Sequence, residues 1–236
     1  MTQHHLQGRS DAEIQWYQRR SFLQAAATWT ALGGAAAAQA QARSNIVELQ
    51  GDVDINGTRL RPDHTVQSGD RITTGPGSTV IFVLGQSAFH VRQNSSLTLE
   101  RGPSLNAVSL LRLLSGAVIS VWGKGSARKI VTPTLTVGIR GTGVYTEVFP
   151  KENGRTYFCN CYGTVDLVSA SDQITSQSEY HQAFWSNVPN SEGVSLTVAR
   201  MMNHSDTELE FLARLAHQRT AWQISGKKVN RNGKGY

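Results

Sequence analysis

The run Gly75-Pro76-Gly77-Ser78-Thr79-Val80-Ile81-Phe82-Val83-Leu84-Gly85 sets a short, strand-forming segment between glycine breaks. Apolar residues fill its odd and even positions alike, so both faces are covered and the segment belongs in the middle of a sheet. Upstream, Asp52-Val53-Asp54-Ile55 alternates polar with apolar, which leaves one face wet, and Asn56-Gly57 supplies the two positive-φ residues of a tight hairpin. Downstream, residues 108–114 are short and closed by Ser115-Gly116, which favours strand over helix. Thr132-Pro133 then marks a bend before a strand over residues 135–139. Gly, Asn or Pro breaks recur roughly every 6 to 12 residues between positions 46 and 168, around segments rich in Val, Ile, Leu and Thr. The fold class is therefore all-β, a single sandwich or roll.

Beyond residue 168 the character changes. Residues 169–179 are rich in Ser, Gln and Asp and read as a connecting loop. Ser205-Asp206-Thr207-Glu208 is a capping box, and Leu209, Leu212, Leu215 and Ala216 follow on one apolar stripe, which predicts a helix over about residues 205–218. It is expected to dock on the β body.

The N-terminal end carries its own signal. Arg19-Arg20-Ser21-Phe22-Leu23 precedes a weakly apolar, Ala-rich stretch and two small-residue cleavage patterns, Ala38-Gln39-Ala40 and Ala40-Gln41-Ala42. That order describes a signal peptide of the twin-arginine type, with Arg19 and Arg20 as its export motif and the periplasm as its destination. The expected organisation is a leader over 1–42, a β domain over 43–168, a C-terminal extension over 169–224 and a basic tail over 225–236. Removing 42 of the 236 residues leaves 194, with no segment apolar enough to span a bilayer. They carry 20 basic against 15 acidic residues, and Lys227, Lys228, Arg231 and Lys234 crowd the last ten positions. The body is thus close to neutral, which argues against a nucleic-acid partner, and the Gly/Asn/Lys tail is expected to be disordered.

Several stretches in order resemble the FecR domain. They are Gln67-Ser68-Gly69-Asp70-Arg71-Ile72-Thr73-Thr74-Gly75, residues 78–84, Leu113-Leu114-Ser115-Gly116-Ala117-Val118, Val131-Thr132-Pro133 leading to Val137-Gly138-Ile139-Arg140-Gly141-Thr142-Gly143-Val144, and Gly163-Thr164-Val165-Asp166-Leu167. The match covers roughly residues 66–168. The resemblance implies an all-β extracytoplasmic module for sensing, scaffolding or partner contact, without a catalytic set. Arg140-Gly141-Thr142 reads physically as a turn in which glycine permits a backbone that a Cβ forbids. A cleavable leader in place of an inner segment and a membrane span sets the chain apart from the transmembrane relay that gives the family its name.

Two cysteines and five of the histidines remain to be weighed. Cys159 and Cys161 lie two apart on a segment expected to be strand, with Cβ atoms about 6.5–7 Å apart. A disulfide needs about 3.8 Å, so the pair bonds only across a distorted turn. Sharing strand phase with Val165 and Leu167, the two are otherwise buried inert thiols. The sharper alternative adds His181 and His204 to make a Cys2His2 set, suited to zinc or to Cu(I). His64, His90 and His217 are isolated in sequence. No G-x-S-x-G, H-E-x-x-H or phosphate-cradling glycine loop occurs. The expectation is a non-enzymatic protein with no catalytic residues and no obligatory cofactor, binding a protein or envelope polymer in a sensory or accessory role. The alternative is a periplasmic zinc- or copper-binding protein using Cys159, Cys161, His181 and His204.

Overall fold

The computed structural model describes residues 44–125 and 127–226. The leader and residues 227–236 of the tail lie outside the described residues. The first strands are β1 (Ile46–Gln50), β2 (Val53–Ile55), β3 (Thr58–Arg59), β4 (Arg71–Thr74), β5 (Thr79–Leu84), β6 (Ser87–Val91) and β7 (Ser96–Arg101). A long β8 (Val108–Val121) precedes β9 (Arg128–Val131), β10 (Thr136–Ile139), β11 (Gly143–Phe149) and an equally long β12 (Arg155–Val168). β13 (Gln173–Ser178), β14 (Gln182–Ser186), β15 (Leu196–Ala199) and two helices, α1 (Asp206–Leu215) and α2 (Ala221–Ser225), follow.

Strands β8 and β12 turn this ladder into two packed layers. The first half of β8 pairs with β7 and β9, its second half with β6 and β11. Likewise the first half of β12 pairs with β11 and β14, its second half with β10 and β13. Each strand passes from one layer to the other at a glycine with positive φ, Gly116 at 73° and Gly163 at 101°. A Cβ on Gly116 would lie 2.3 Å from Ser95 Oγ, so only glycine fits this bend. One layer runs β1-β5-β6-β8-β11-β12-β14-β15 and the other β3-β2-β4-β7-β8-β9-β10-β12-β13, giving a barrel-like, all-β body.

Two cores result. The inner one, between the layers, gathers residues such as Val53, Phe82, Phe89, Leu111, Phe158 and Val165. The outer one lies on the far side of the first layer, where Ile81, Ile119, Tyr145, Cys159 and Cys161 meet Leu209, Leu212 and Trp222 of the helices. β5 serves both, since Val80 and Phe82 point inward and Ile81 outward. Its apolar residues at odd and even positions follow from that. The hairpin forms at Asn56 (φ 52°) and Gly57 (φ 79°) between β2 and β3.

Four expectations need correcting. Ser115-Gly116 does not end its strand; it bends a strand that continues to Val121. The loop expected over residues 169–179 contains β13, which pairs with β12 alone and so keeps polar residues in water on its free side. The sheet therefore continues to Ala199, beyond the domain boundary read at residue 168. A second short helix, α2, follows α1; Thr220 and Gln223 form its capping box.

Among the described residues no helix is long and apolar enough to cross a membrane.

Candidate metal centre

The site forms on the outer face of the first layer, where β12 carries a bulge. Opposite β11 the register shifts between Gly143 and Val144, which face Tyr162 and Asn160 and leave Cys161 as the extra residue. A bulge bends its strand and re-aims side chains. Cys159 and Cys161 follow Tyr157 into the outer core by strand alternation, the bulge adds Tyr162 to that face, and Val165 and Leu167, past it and the bend at Gly163, sit in the inner core. The shared phase expected from their spacing is broken by these two distortions. Both cysteines are free and buried.

His181 arrives from the turn between β13 and β14, held by its backbone N–H on the Cys161 carbonyl at 2.9 Å. His204 arrives from the segment ahead of α1. The four donor atoms of Cys159, Cys161, His181 and His204 all lie within 4.8 Å of one another. Cys159 Sγ is 3.6 Å from His181 Nδ1, Cys161 Sγ is 3.4 Å from His204 Nε2, and the two nitrogens are 3.2 Å apart. A zinc tetrahedron with Zn–S of about 2.3 Å and Zn–N of about 2.05 Å has S···N edges of about 3.6 Å and N···N edges of about 3.3 Å. The donor set fits a tetrahedral ion.

The outer nitrogens of the two imidazoles are already engaged. His181 Nε2–H donates to Asp206 Oδ1 at 3.0 Å, and that carboxylate also accepts from Tyr180 Oη at 3.1 Å. His204 Nδ1–H donates to the Met202 carbonyl at 2.7 Å. Each ring therefore turns its other nitrogen inward, as metal-ligating histidines backed by a carboxylate or carbonyl do. Two ring nitrogens 3.2 Å apart need a proton or a cation between them. Burial opposes charge on His181, but hydrogen bonds to Asp206 and Cys159 outweigh it and raise its pKa to about 9. Burial likewise opposes a Cys159 thiolate, yet the Cys161 thiol and the charge of His204 hold it well below the usual thiol range. Cys161 is pushed well above that range by burial and by its neighbour Cys159.

Aromatic rings wall the cluster. Trp222 of α2 stacks on His181 with centroids 5.3 Å apart, and Tyr145 stacks on His204 at 4.7 Å. Tyr162 and Tyr180 meet Trp222 edge-on. Gly143 is obligatory here, because a Cβ would lie 2.3 Å from the Tyr162 ring. Two backbone positions beside the site, His181 (φ 35°) and Asn203 (φ 62°), take the left-handed conformation that non-glycine residues seldom adopt.

Cys159, His181 and Asp206 also stand in the order nucleophile, base, orienter. Cys159 is 0% exposed and the His181 side chain 2%, so no substrate carbonyl reaches the sulfur. The enclosure suits a closed, four-ligand ion.

Arg140, Gly141 and Thr142 lie together in the turn between β10 and β11. Gly141 has φ 73°, Thr142 is buried, and exposed Arg140 pairs with Asp166 at 2.7 Å. Of the isolated histidines, His64 is half-buried, and His217 lies just past the end of α1. His90 is buried beside Glu208 and Arg92, and its pKa falls to about 4, chiefly through burial and then the Arg92 charge. Sequence reading missed Asp206, Tyr180, Tyr145 and Trp222. Asp206 was visible only as part of the cap, and the Thr220-Ala221-Trp222-Gln223 box was the available sign that Trp222 is held in a helix.

No protein-family model matches the chain, and no curated protein sequence does. Two crystal structures from Parabacteroides distasonis ATCC 8503, each of a proposed anti-sigma factor, are similar to part of it. One is 11% identical over 55% of this chain and 59% of its own, with a TM-score of 0.44. The other is 11% identical over 61% of this chain and 64% of its own, with a TM-score of 0.45. The chain thus spans less than two thirds of each.

Proposed function

We propose that this protein is a non-enzymatic β module that binds one tetrahedral metal ion through Cys159, Cys161, His181 and His204. Zn²⁺ is the best fit, since two sulfurs and two imidazoles in a closed tetrahedron are a zinc donor set; Cu(I) is the soft alternative. One observation carries this reading: three donor-to-donor distances of 3.6, 3.4 and 3.2 Å match the edges of a zinc tetrahedron. With four protein ligands and no open position, the ion would hold structure rather than activate water. Protein purified with reduced thiols is expected to carry close to one zinc or copper per chain by plasma mass spectrometry. Cys159→Ser should lose it. A chain that stays metal-free after equilibration with Zn²⁺ under reducing conditions would overturn the assignment.

A second reading is favoured by the FecR-like stretches between residues 66 and 168. On it the protein is exported through its Arg19-Arg20 leader and works in the periplasm by contacting a protein or envelope polymer in a sensory or accessory role. The two are compatible, because twin-arginine export delivers folded chains that can have taken up metal beforehand. Capture from envelope extract tests the contact, and loss of a specific partner on deleting residues 205–218 would put it on the helix. Absence of any specific partner from both forms would count against this reading.

A further inference from the structure

Only one of the four donors, His204, belongs to the segment that follows the last strand; the other three belong to the sheet and its β13–β14 turn. On that metal reading, we infer that the ion is a clasp: its occupancy fastens residues 200–226 across the outer face of the sheet, and its loss releases them.

Apolar side chains of the segment, among them Leu209, Phe211, Leu212, Leu215 and Trp222, pack on the outer face, and polar contacts fix its position there. At its start the Tyr157 hydroxyl donates to the Arg200 carbonyl and accepts from the Met202 N–H, at 2.9 and 3.0 Å. His204 follows at the metal centre, and Asp206, the first residue of α1, holds the opposite ligand His181. Arg92 on the sheet reaches Glu208 of α1 at 2.6 Å. Trp222 closes the far end over His181. Metal centre, helix start and Trp222 thus share residues, so the state of one is felt by the others.

Two features make the clasp dependent on the ion. The inward nitrogens of His181 and His204 face each other at 3.2 Å, an arrangement that a proton can bridge but that only a bound ion ties to both cysteine sulfurs as well. The left-handed backbones at His181 and Asn203 persist only while their surroundings hold them. Without the ion His204 loses its tie to the sheet's sulfurs and the backbone at Asn203 relaxes if His204 moves away, and His204 is joined directly to α1 through Ser205. The sheet beneath the segment does not share this dependence, because its inner core contains none of the four ligands. Release would bare an outer face formed by Ile81, Ile119, Val121, Tyr145 and Tyr162.

The test is hydrogen exchange on the full chain, once saturated with Zn²⁺ and once stripped by a chelator under reducing conditions, with native mass spectrometry reporting bound metal. Amides of residues 206–225 are expected to exchange at least tenfold faster in the stripped protein, while β5 and the second half of β8 hold their rates. His204→Ala guards against general unfolding on stripping. It leaves three sheet ligands, so it should still bind Zn²⁺, more weakly, and yet exchange 206–225 as the stripped protein does. Bound zinc with identical exchange in the two states would overturn the clasp and leave the metal centre standing. Uniformly faster exchange across the chain, or an H204A variant as protected as the wild type, would also overturn it. Failure to bind zinc at all would remove both.

Discussion

The ion pair between Arg92 and Glu208 is the main polar tie between α1 and the sheet, and removing one partner should cost far more than removing both. Arg92 Nη2 donates to Glu208 Oε1 at 2.6 Å, with side-chain exposures of only 12% and 8%. Arg92 Nη1 also donates to the Asn203 carbonyl, and the guanidinium lies 5.3 Å from the Tyr145 ring centroid. Glu208 Oε2 meanwhile accepts from the Ser205 N–H at 2.9 Å, completing the cap. Glu208→Ala leaves a buried guanidinium without its carboxylate, which destabilises by about 3–5 kcal/mol. Ser205→Ala removes only the cap hydroxyl, for about 1 kcal/mol. Replacing both charges with apolar residues of similar volume, Arg92→Met with Glu208→Leu, should cost much less than the two singles combined, a coupling of about 2–4 kcal/mol. Urea unfolding followed by tryptophan fluorescence would measure all of these, with metal content held constant because bound metal shifts apparent stability. The reasoning fails if Glu208→Ala costs no more than Ser205→Ala, or if the double substitution equals the sum of the singles.

Two buried groups give opposite pH dependences. Glu48 has a buried carboxylate oxygen without a hydrogen-bond partner, and burial raises its pKa from 4.5 to about 7. The folded state therefore keeps its proton longer than the unfolded one, so stability is full below pH 4.5 and falls as pH rises towards 7, by about 2–3 kcal/mol. Glu48→Gln should flatten that fall in denaturation midpoints taken across the range. His90, lowered from 6.5 to about 4, works the other way: stability is full above pH 6.5 and falls as pH drops towards 4, by up to about 3 kcal/mol. An apolar replacement such as His90→Leu should remove the acid-side loss, seen in the same titration. Gly116→Ala should destabilise by about 2–4 kcal/mol, since alanine must take φ 73° and its Cβ would meet Ser95; an unchanged melting temperature would contradict the bend assigned there.

The β class was legible because turn residues divide the chain at strand spacing and because β5 is apolar on both faces. The bending of β8 and β12 was not, since a glycine that breaks a strand and a glycine that carries it into a second layer look alike without the partners on either side. β13 was missed for a related reason: Gln173-Ile174-Thr175-Ser176-Gln177-Ser178 buries only Ser176, so an edge strand with water on its open side has a loop's composition. In the site, the four donors could be listed by chemistry, but not the bulge that separates the cysteines' face from that of Val165 and Leu167. Asp206 and Trp222 carry no pattern of their own; their role depends on where the chain returns after 20 to 40 residues, a distance no local periodicity spans.

X-ray absorption at the metal edge of the zinc-loaded, reduced full-length protein would test the central claim most directly. The account predicts a first shell of two sulfurs at about 2.3 Å and two imidazole nitrogens at about 2.0 Å. A shell of oxygens alone, or one without sulfur, would contradict it.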